Sequence, residues 1–244
     1  MDYFFNNICY KIINLKFNLL DALIDDDLIY NINCLTNINK NNILYLGKGS
    51  DKIKNFSNNS NFDDFSANLV NNLTALLADS ILEIDKKYNI IISSYHLNYA
   101  KNLTKSIDCI VNLLHHNGIF MTYFVGDLNF IEMRKSFLAI TCDKYFNRFL
   151  PSLNIKSAGK LFNFVKLEDI VTSSIGEVVE FENFHDICNF IKRTSLGNPF
   201  LNLNEAKITK NQFKEIENYY EKNFTKNGKF QLTVDFISAF GIKR

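Results

Sequence analysis

The residues of this chain most suited to chemistry lie in Ile43-Leu44-Tyr45-Leu46-Gly47-Lys48-Gly49-Ser50-Asp51, a short apolar run ending on two glycines one residue apart. Such a run reads as a buried strand, and glycines at its end let the backbone approach a bound nucleotide or cofactor closely. The same spacing suits a strand-end turn that needs positive φ. A carboxylate at the end of the next strand binds the two hydroxyls of a ribose in that geometry, and the candidate is Asp64 in Phe62-Asp63-Asp64-Phe65-Ser66.

Other reactive side chains are scattered. Cys9, Cys34, Cys109, Cys142 and Cys188 form no CxxC pair, which points to reduced thiols in a cytosol rather than disulfides or a zinc site. His96, His115, His116 and His185 lack a Ser or Cys nucleophile context, and His115-His116 falls where a helix turns into a strand. Asp25-Asp26-Asp27 reads as a solvated helix end, because consecutive acids on a helix point in different directions and do not converge on one ion. No metal site is expected.

The elements that must hold these residues alternate. Apolar spacing at Ile12, Leu15, Leu19, Leu20 and Leu23 predicts amphipathic helices within residues 1–36. Strands are predicted at Asn41–Leu46, Asn89–Ser93 and Ile119–Val125, with helices at Ser66–Leu77 and Leu103–Leu114 and an exposed loop at Asn55–Asn61. That order argues for parallel βαβ units and an α/β sheet covered on both faces. A helix at Asn129–Ala139, a polar and aromatic stretch at Cys142–Lys160 and a strand near Phe164–Val171 follow, and a connection that long suits a lid or substrate loop. Helices at Asn183–Lys192 and Lys210–Tyr220 and a final strand at Phe230–Ile242, with a turn at Gly228, complete the pattern.

Composition narrows the class. The chain has 244 residues, enough for one large domain, and no Pro/Gly/Ser-rich linker or internal repeat divides it. Basic and acidic side chains number 27 and 26, so bulk charge favours no nucleic-acid partner. No apolar run approaches the roughly 20 residues of a membrane span, and the N-terminal MDYFFNNICYK lacks the pattern of a secretory signal. The surplus of Asn, Ile, Lys, Phe and Tyr matches AT-rich codons.

Several segments together resemble the class I S-adenosylmethionine-dependent methyltransferases, in the biotin-synthesis branch of malonyl-acyl-carrier-protein O-methyltransferases. NILYLGKGSD stands where that family has its glycine motif, DDFSANLV is similar to its second-strand acidic segment, and LLADSILEI to the segment that approaches the adenine. YNIIISSYHLNYAKNL resembles its fourth-strand motif, and LLHHNGIFMTYF its turn into strand five with Gly118 in the glycine position. GDLNFIEMRKSF, NRFLPSLNIKSAGKLF and the stretch from FIKRTSLGNP to GKFQLTVDFISAFGIKR resemble the substrate-covering and C-terminal segments of the branch. Tyr45 stands where the family carries an acid, and Ser50 or Asp51 at its third glycine-type position.

The resemblance covers roughly residues 41–244 and implies a mostly parallel Rossmann-like sheet with an antiparallel last strand. It implies one domain over 1–244 with a helical lid insertion at about 127–162 after strand five. S-adenosylmethionine is then the cofactor, bound by Leu46, Gly47, Gly49, Asp64, Phe65, Asp79, Ser80 and Ser94. The implied substrate is malonyl-acyl-carrier protein, whose carboxylate oxygen displaces the sulfonium methyl group to give an ester. Such a nucleophile is already anionic at neutral pH and needs no general base. Arg148 is the first candidate to orient that carboxylate, through two parallel hydrogen bonds. Arg134 and Arg193 are further substrate-binding candidates, the latter toward an acidic carrier surface. Tyr99 is a candidate for the methyl-transfer channel. A cytoplasmic monomer acting without membrane or nucleic acid completes the expectation. The departures at Tyr45, Ser50 and Asp51 motivate a second one: a non-catalytic methyltransferase fold serving as a binding or assembly protein, related to the complex I assembly factors that share the look of GDLNFIEMR.

Overall fold

Strands apolar at nearly every position must be covered on both faces, and the computed structural model bears this out for the runs that begin at Ile43 and Tyr88. It describes residues 24–34, 42–46, 62–64, 86–94, 97–98, 100, 102–141, 148–194, 196 and 208–244. The expected helix at Ser66–Leu77 and loop at Asn55–Asn61 lie outside them. The elements are α1 (24–34), β1 (Ile43–Leu46), β2 (Phe62–Asp64), β3 (Tyr88–Ser93), α2 (Leu103–Asn112) and β4 (Leu114–Val125). After these come α3 (Ile131–Thr141), α4 (Ile155–Phe164), β5 (Leu167–Phe181), α5 (Phe184–Arg193), α6 (Lys210–Phe224), β6 (Thr225–Lys226) and β7 (Lys229–Lys243). Among the described residues the sheet runs β2-β1-β3-β4-β7-β5, with β6 paired to β7. Strands β2, β1, β3 and β4 are parallel, and β7 lies antiparallel to β4, as expected for the last strand. No helix among the described residues is long and apolar enough to cross a membrane.

The chain divides into two compact units. The sheet unit takes the described parts of Asp21–Gly126, Ser152–Ile175 and Phe236–Arg244; the helical unit takes Asp127–Pro151 and Gly176–Asp235.

In the sheet unit, alternation sends Leu44, Leu46, Ile91, Phe120 and Phe124 to one face, where they meet Ile107, Ile110 and Val111 of α2 and Ala158 and Phe162 of α4. Phe162 stacks on Phe120 at 5.5 Å between centroids. Asn102 and Asn154 cap α2 and α4, each side-chain oxygen accepting from a backbone N–H three residues on, at 3.0 and 2.8 Å. Ile155–Phe164, which overlaps the end of the polar and aromatic stretch Cys142–Lys160 and the start of the strand expected near Phe164, is therefore a capped helix that carries part of this core. Gly241 is needed for space: a Cβ there would come within 3.0 Å of Leu167 Cβ and 3.2 Å of Phe162. The opposite face carries Tyr45 and Tyr123, and α1 presents buried Ile24, Leu28 and Ile32 at four-residue intervals.

β4 begins earlier than expected. Tyr88 pairs with Leu114 but Ile90 with Ile119, so the extra residues of β4, exposed His115 and His116 among them, bulge from the ladder. The histidines thus stand on an irregular strand start rather than in a turn before it. Gly118 fits there because a Cβ would meet the His115 carbonyl oxygen at 2.9 Å.

In the helical unit, Asn227 and Gly228 both take positive φ, at 52° and 74°, and close the β6–β7 hairpin. Thr209 and Gln212 form a capping box that starts α6. Buried aromatics fill the interior: Phe184 packs edge-on to Tyr220 and Phe130 edge-on to Phe190. The turn into α3 is tied to β7. Phe130 N–H donates to the Thr233 carbonyl at 2.8 Å, Asn129 Oδ1 accepts from Asp235 N–H at 3.2 Å, and the Glu132 carboxylate accepts from both the N–H and the hydroxyl of Thr233.

Candidate functional site

Ligands of open parallel sheets bind outside the carboxyl ends of the strands, where the strand order reverses. Here the chain runs from β1 outward to β2 and returns on the other side of β1 to form β3, so the reversal lies between β1 and β3. Leu46 is level with Ser93, and Tyr45 with Asp64, which places Asp64 at the end of β2 beside the end of β1. Ser94, buried just past β3, donates its N–H to the Leu46 carbonyl at 3.2 Å. The Leu46 side chain belongs to the apolar core, so what it offers this crevice is its backbone. Asn98 Oδ1 accepts from the Val125 N–H at 3.0 Å and ties the segment after β3 to the end of β4. Of the expected cofactor residues, the register therefore gathers Leu46, Asp64 and Ser94 at one sheet end. Gly47, Gly49, Phe65, Asp79, Ser80 and Tyr99 lie outside the described residues.

A carboxylate that sequence reasoning set aside faces the same end of the sheet unit. Asp25, Asp26 and Asp27 diverge on α1 as expected, but only Asp26 is a solvated side chain; Asp25 is buried and Asp27 half-buried. Asp27 Oδ2 accepts from the Tyr123 hydroxyl at 2.9 Å and from Asn31 Nδ2 at 2.8 Å. Burial raises the Asp27 pKa above the ordinary carboxylate value, against the lowering effect of these two donors. Burial likewise raises Tyr123, reinforced by the neighbouring Asp27. The signal available in the sequence was the four-residue spacing of Asp27 and Asn31 on a helix.

In the helical unit the structure brings Arg134 and Arg148 together. The Arg134 guanidinium lies 5.5 Å from the Phe149 ring centroid and that of Arg148 lies 5.2 Å from Phe137, while the two rings meet edge-on at 6.0 Å. Each cation sits on the ring adjacent in sequence to, or three residues from, the other. Burial lowers the Arg134 pKa, opposed by the carboxylate of Asp127, yet a guanidinium stays charged at neutral pH. Arg193 comes from another element, the last turn of α5, where a cation complements the helix dipole. His185 lies 3.8 Å from Glu217 and edge-on to Phe213 on the helical surface. Burial pushes the Cys188 thiol up to about 11, which suits an inert thiol. Among the described residues no three His, Cys, Asp or Glu side chains gather as metal ligands.

A sheet that is parallel through β2, β1, β3 and β4, with β7 antiparallel to β4, is shared with solved proteins. The YcgJ protein from Bacillus subtilis superposes with a TM-score of 0.51 at 11% identity, over 88% of this chain and 97% of that one. The fold is the Rossmann-like methyltransferase fold. A putative methyltransferase from Bacillus halodurans aligns with a TM-score of 0.49 at 10% identity, over 88% of this chain and 98% of that one. In sequence, this methyltransferase-fold chain is 24% identical over 223 residues to Malonyl-[acyl-carrier protein] O-methyltransferase 2 of Ilyobacter polytropus, covering 80% of each. No family model matches the chain.

Proposed function

We propose that the chain is an S-adenosylmethionine-dependent O-methyltransferase that esterifies the free carboxylate of a malonyl group on acyl-carrier protein, early in cytoplasmic biotin synthesis. The observation that supports this most is the pair Arg134 and Arg148 on the Phe149 and Phe137 rings. A guanidinium held against an aromatic face is partly desolvated and still charged, so it binds a carboxylate by charge-assisted hydrogen bonds more firmly than a solvated one does. The curated relative, itself a malonyl-acyl-carrier-protein methyltransferase by name, supports the substrate class.

At the carboxyl ends of β1, β2 and β3 the proposed cofactor contacts are Asp64, accepting from the ribose hydroxyls, and Leu46 and Ser94, whose backbones meet there. Gly47, Gly49, Phe65, Asp79 and Ser80 complete the proposed cofactor contacts, and Tyr99 is the residue proposed for the methyl-transfer channel. When bound, S-adenosylmethionine supplies an electrophilic methyl group on a cationic sulfur. The work left to the chain is alignment and partial desolvation of an oxygen nucleophile that is already anionic. Arg193 is proposed to meet the acidic carrier protein.

Arg148→Ala tests the reading through two assays, calorimetric binding of S-adenosylhomocysteine and methyl transfer to malonyl-acyl-carrier protein. Turnover is expected to fall at least about 100-fold with cofactor affinity intact. Equal loss of both makes Arg148 structural. A wild-type protein that binds no cofactor is instead a binding or assembly protein built on the same fold.

A further inference from the structure

Tyr123 stands at the ligand end of the sheet unit. Thr122 is level with Ser93, and Ser93 with Leu46, so Tyr123 lies one residue past the ends of both β3 and β1. It shares a sheet face with Tyr45, opposite the apolar core, and on that face it holds Asp27 of α1. Both hydrogen bonds to Asp27 end on Oδ2, from the phenol and from Asn31, and among the described residues Oδ1 accepts none. The two donors are neutral, so they fix the carboxylate in one orientation without cancelling its charge. A half-buried anion aimed by two neutral donors, beside the reversal point of a parallel sheet, is a site for a cation.

S-adenosylmethionine and its demethylated product both carry an α-ammonium group at one end of a nucleoside. If the ribose is held at Asp64, which stands beside the end of β1, an amino-acid end lying on the other side of β1 would meet the ends of β3 and β4, which neighbour it there. We propose that Asp27, positioned by Tyr123 and Asn31, is the counter-ion for the ammonium of the cofactor's amino-acid end. This rests on the cofactor reading above. Oδ1 would accept from the ammonium while Oδ2 keeps its two donors, so binding would break none of the hydrogen bonds described.

The test is calorimetric titration of wild type and Asp27→Asn with two probes: S-adenosylhomocysteine, and methylthioadenosine, which keeps the nucleoside and thioether but has no amino-acid end. Asp27→Asn is expected to weaken S-adenosylhomocysteine at least about tenfold and to leave methylthioadenosine unchanged. Equal weakening of both probes would show that Asp27 only shapes the pocket, and no change in either would remove it from the site; both overturn the proposal. A wild-type protein that binds neither probe overturns the cofactor reading itself, and this inference with it. Tyr123→Phe covers the case in which Asp27→Asn fails to fold. It retains the carboxylate but frees its orientation, so a severalfold loss for S-adenosylhomocysteine alone is expected, and unchanged affinity for both probes counts against the assignment.

Discussion

Two carboxylates, one in each unit, are held in contrasting ways. Glu132 in the helical unit is buried, and each of its oxygens accepts from Thr233, one from the N–H and one from the hydroxyl. Asp27 in the sheet unit is half-buried, and its two donors among the described residues converge on a single oxygen. A carboxylate with both oxygens committed to one residue of a neighbouring strand is architecture: it pins α3 to β7. A carboxylate with one oxygen engaged is oriented without being consumed. The contrast separates a group spent on folding from the group proposed to meet the cofactor, and substitutions can break it.

An apolar core change sets the scale. Phe162→Ala, which removes the ring stacked on Phe120, is expected to cost about 3–5 kcal/mol in denaturant unfolding. Glu132→Ala leaves two Thr233 donors without their acceptor in a partly buried place and should cost about 1–3 kcal/mol. Asp27→Asn keeps an acceptor for Tyr123 and Asn31, so stability should move by no more than about 0.5 kcal/mol. A loss from Asp27→Asn as large as that from Glu132→Ala would erase the distinction.

The smallest effect is in pH. Asp27 has a folded pKa raised above its ordinary value of 3.8, so the folded state binds this proton more tightly than the unfolded state. Its contribution to stability is whole below 3.8 and declines as pH rises through the raised value. Melting temperatures of Asp27→Asn relative to wild type should therefore climb from acid to neutral pH. A difference that is flat across this range, or that falls, would contradict the burial that sets the sign.

Much of the sheet was legible because its signal is local. Ile43–Leu46, the Ile90–Ile92 centre of β3 and the later part of β4 are apolar runs broken only by Thr122, and Leu103–Asn112 buries Ile107, Ile110 and Val111 at helical spacing. The second half of β5 was missed for a physical reason: at the sheet edge only Leu167, Val179 and Phe181 are buried, so no period of two survives. In α4 only Ala158 and Phe162 are buried, too sparse a stripe to mark a helix. Arg134 and Arg148 were each visible as candidates, but their exchange of rings depends on how Phe137 and Phe149 meet in space. Asp27 looks solvated from its neighbours alone, because nothing local announces the hydroxyl of Tyr123, which comes from 96 residues away.

The proposed methyl transfer to a carboxylate is tested most directly by mass spectrometry of malonyl-acyl-carrier protein incubated with the purified protein and S-adenosylmethionine. The expected result is one added methyl group on the malonyl carboxylate, absent with acetyl-acyl-carrier protein, which has no free carboxylate. An unmodified carrier protein under conditions where S-adenosylhomocysteine binds would contradict it.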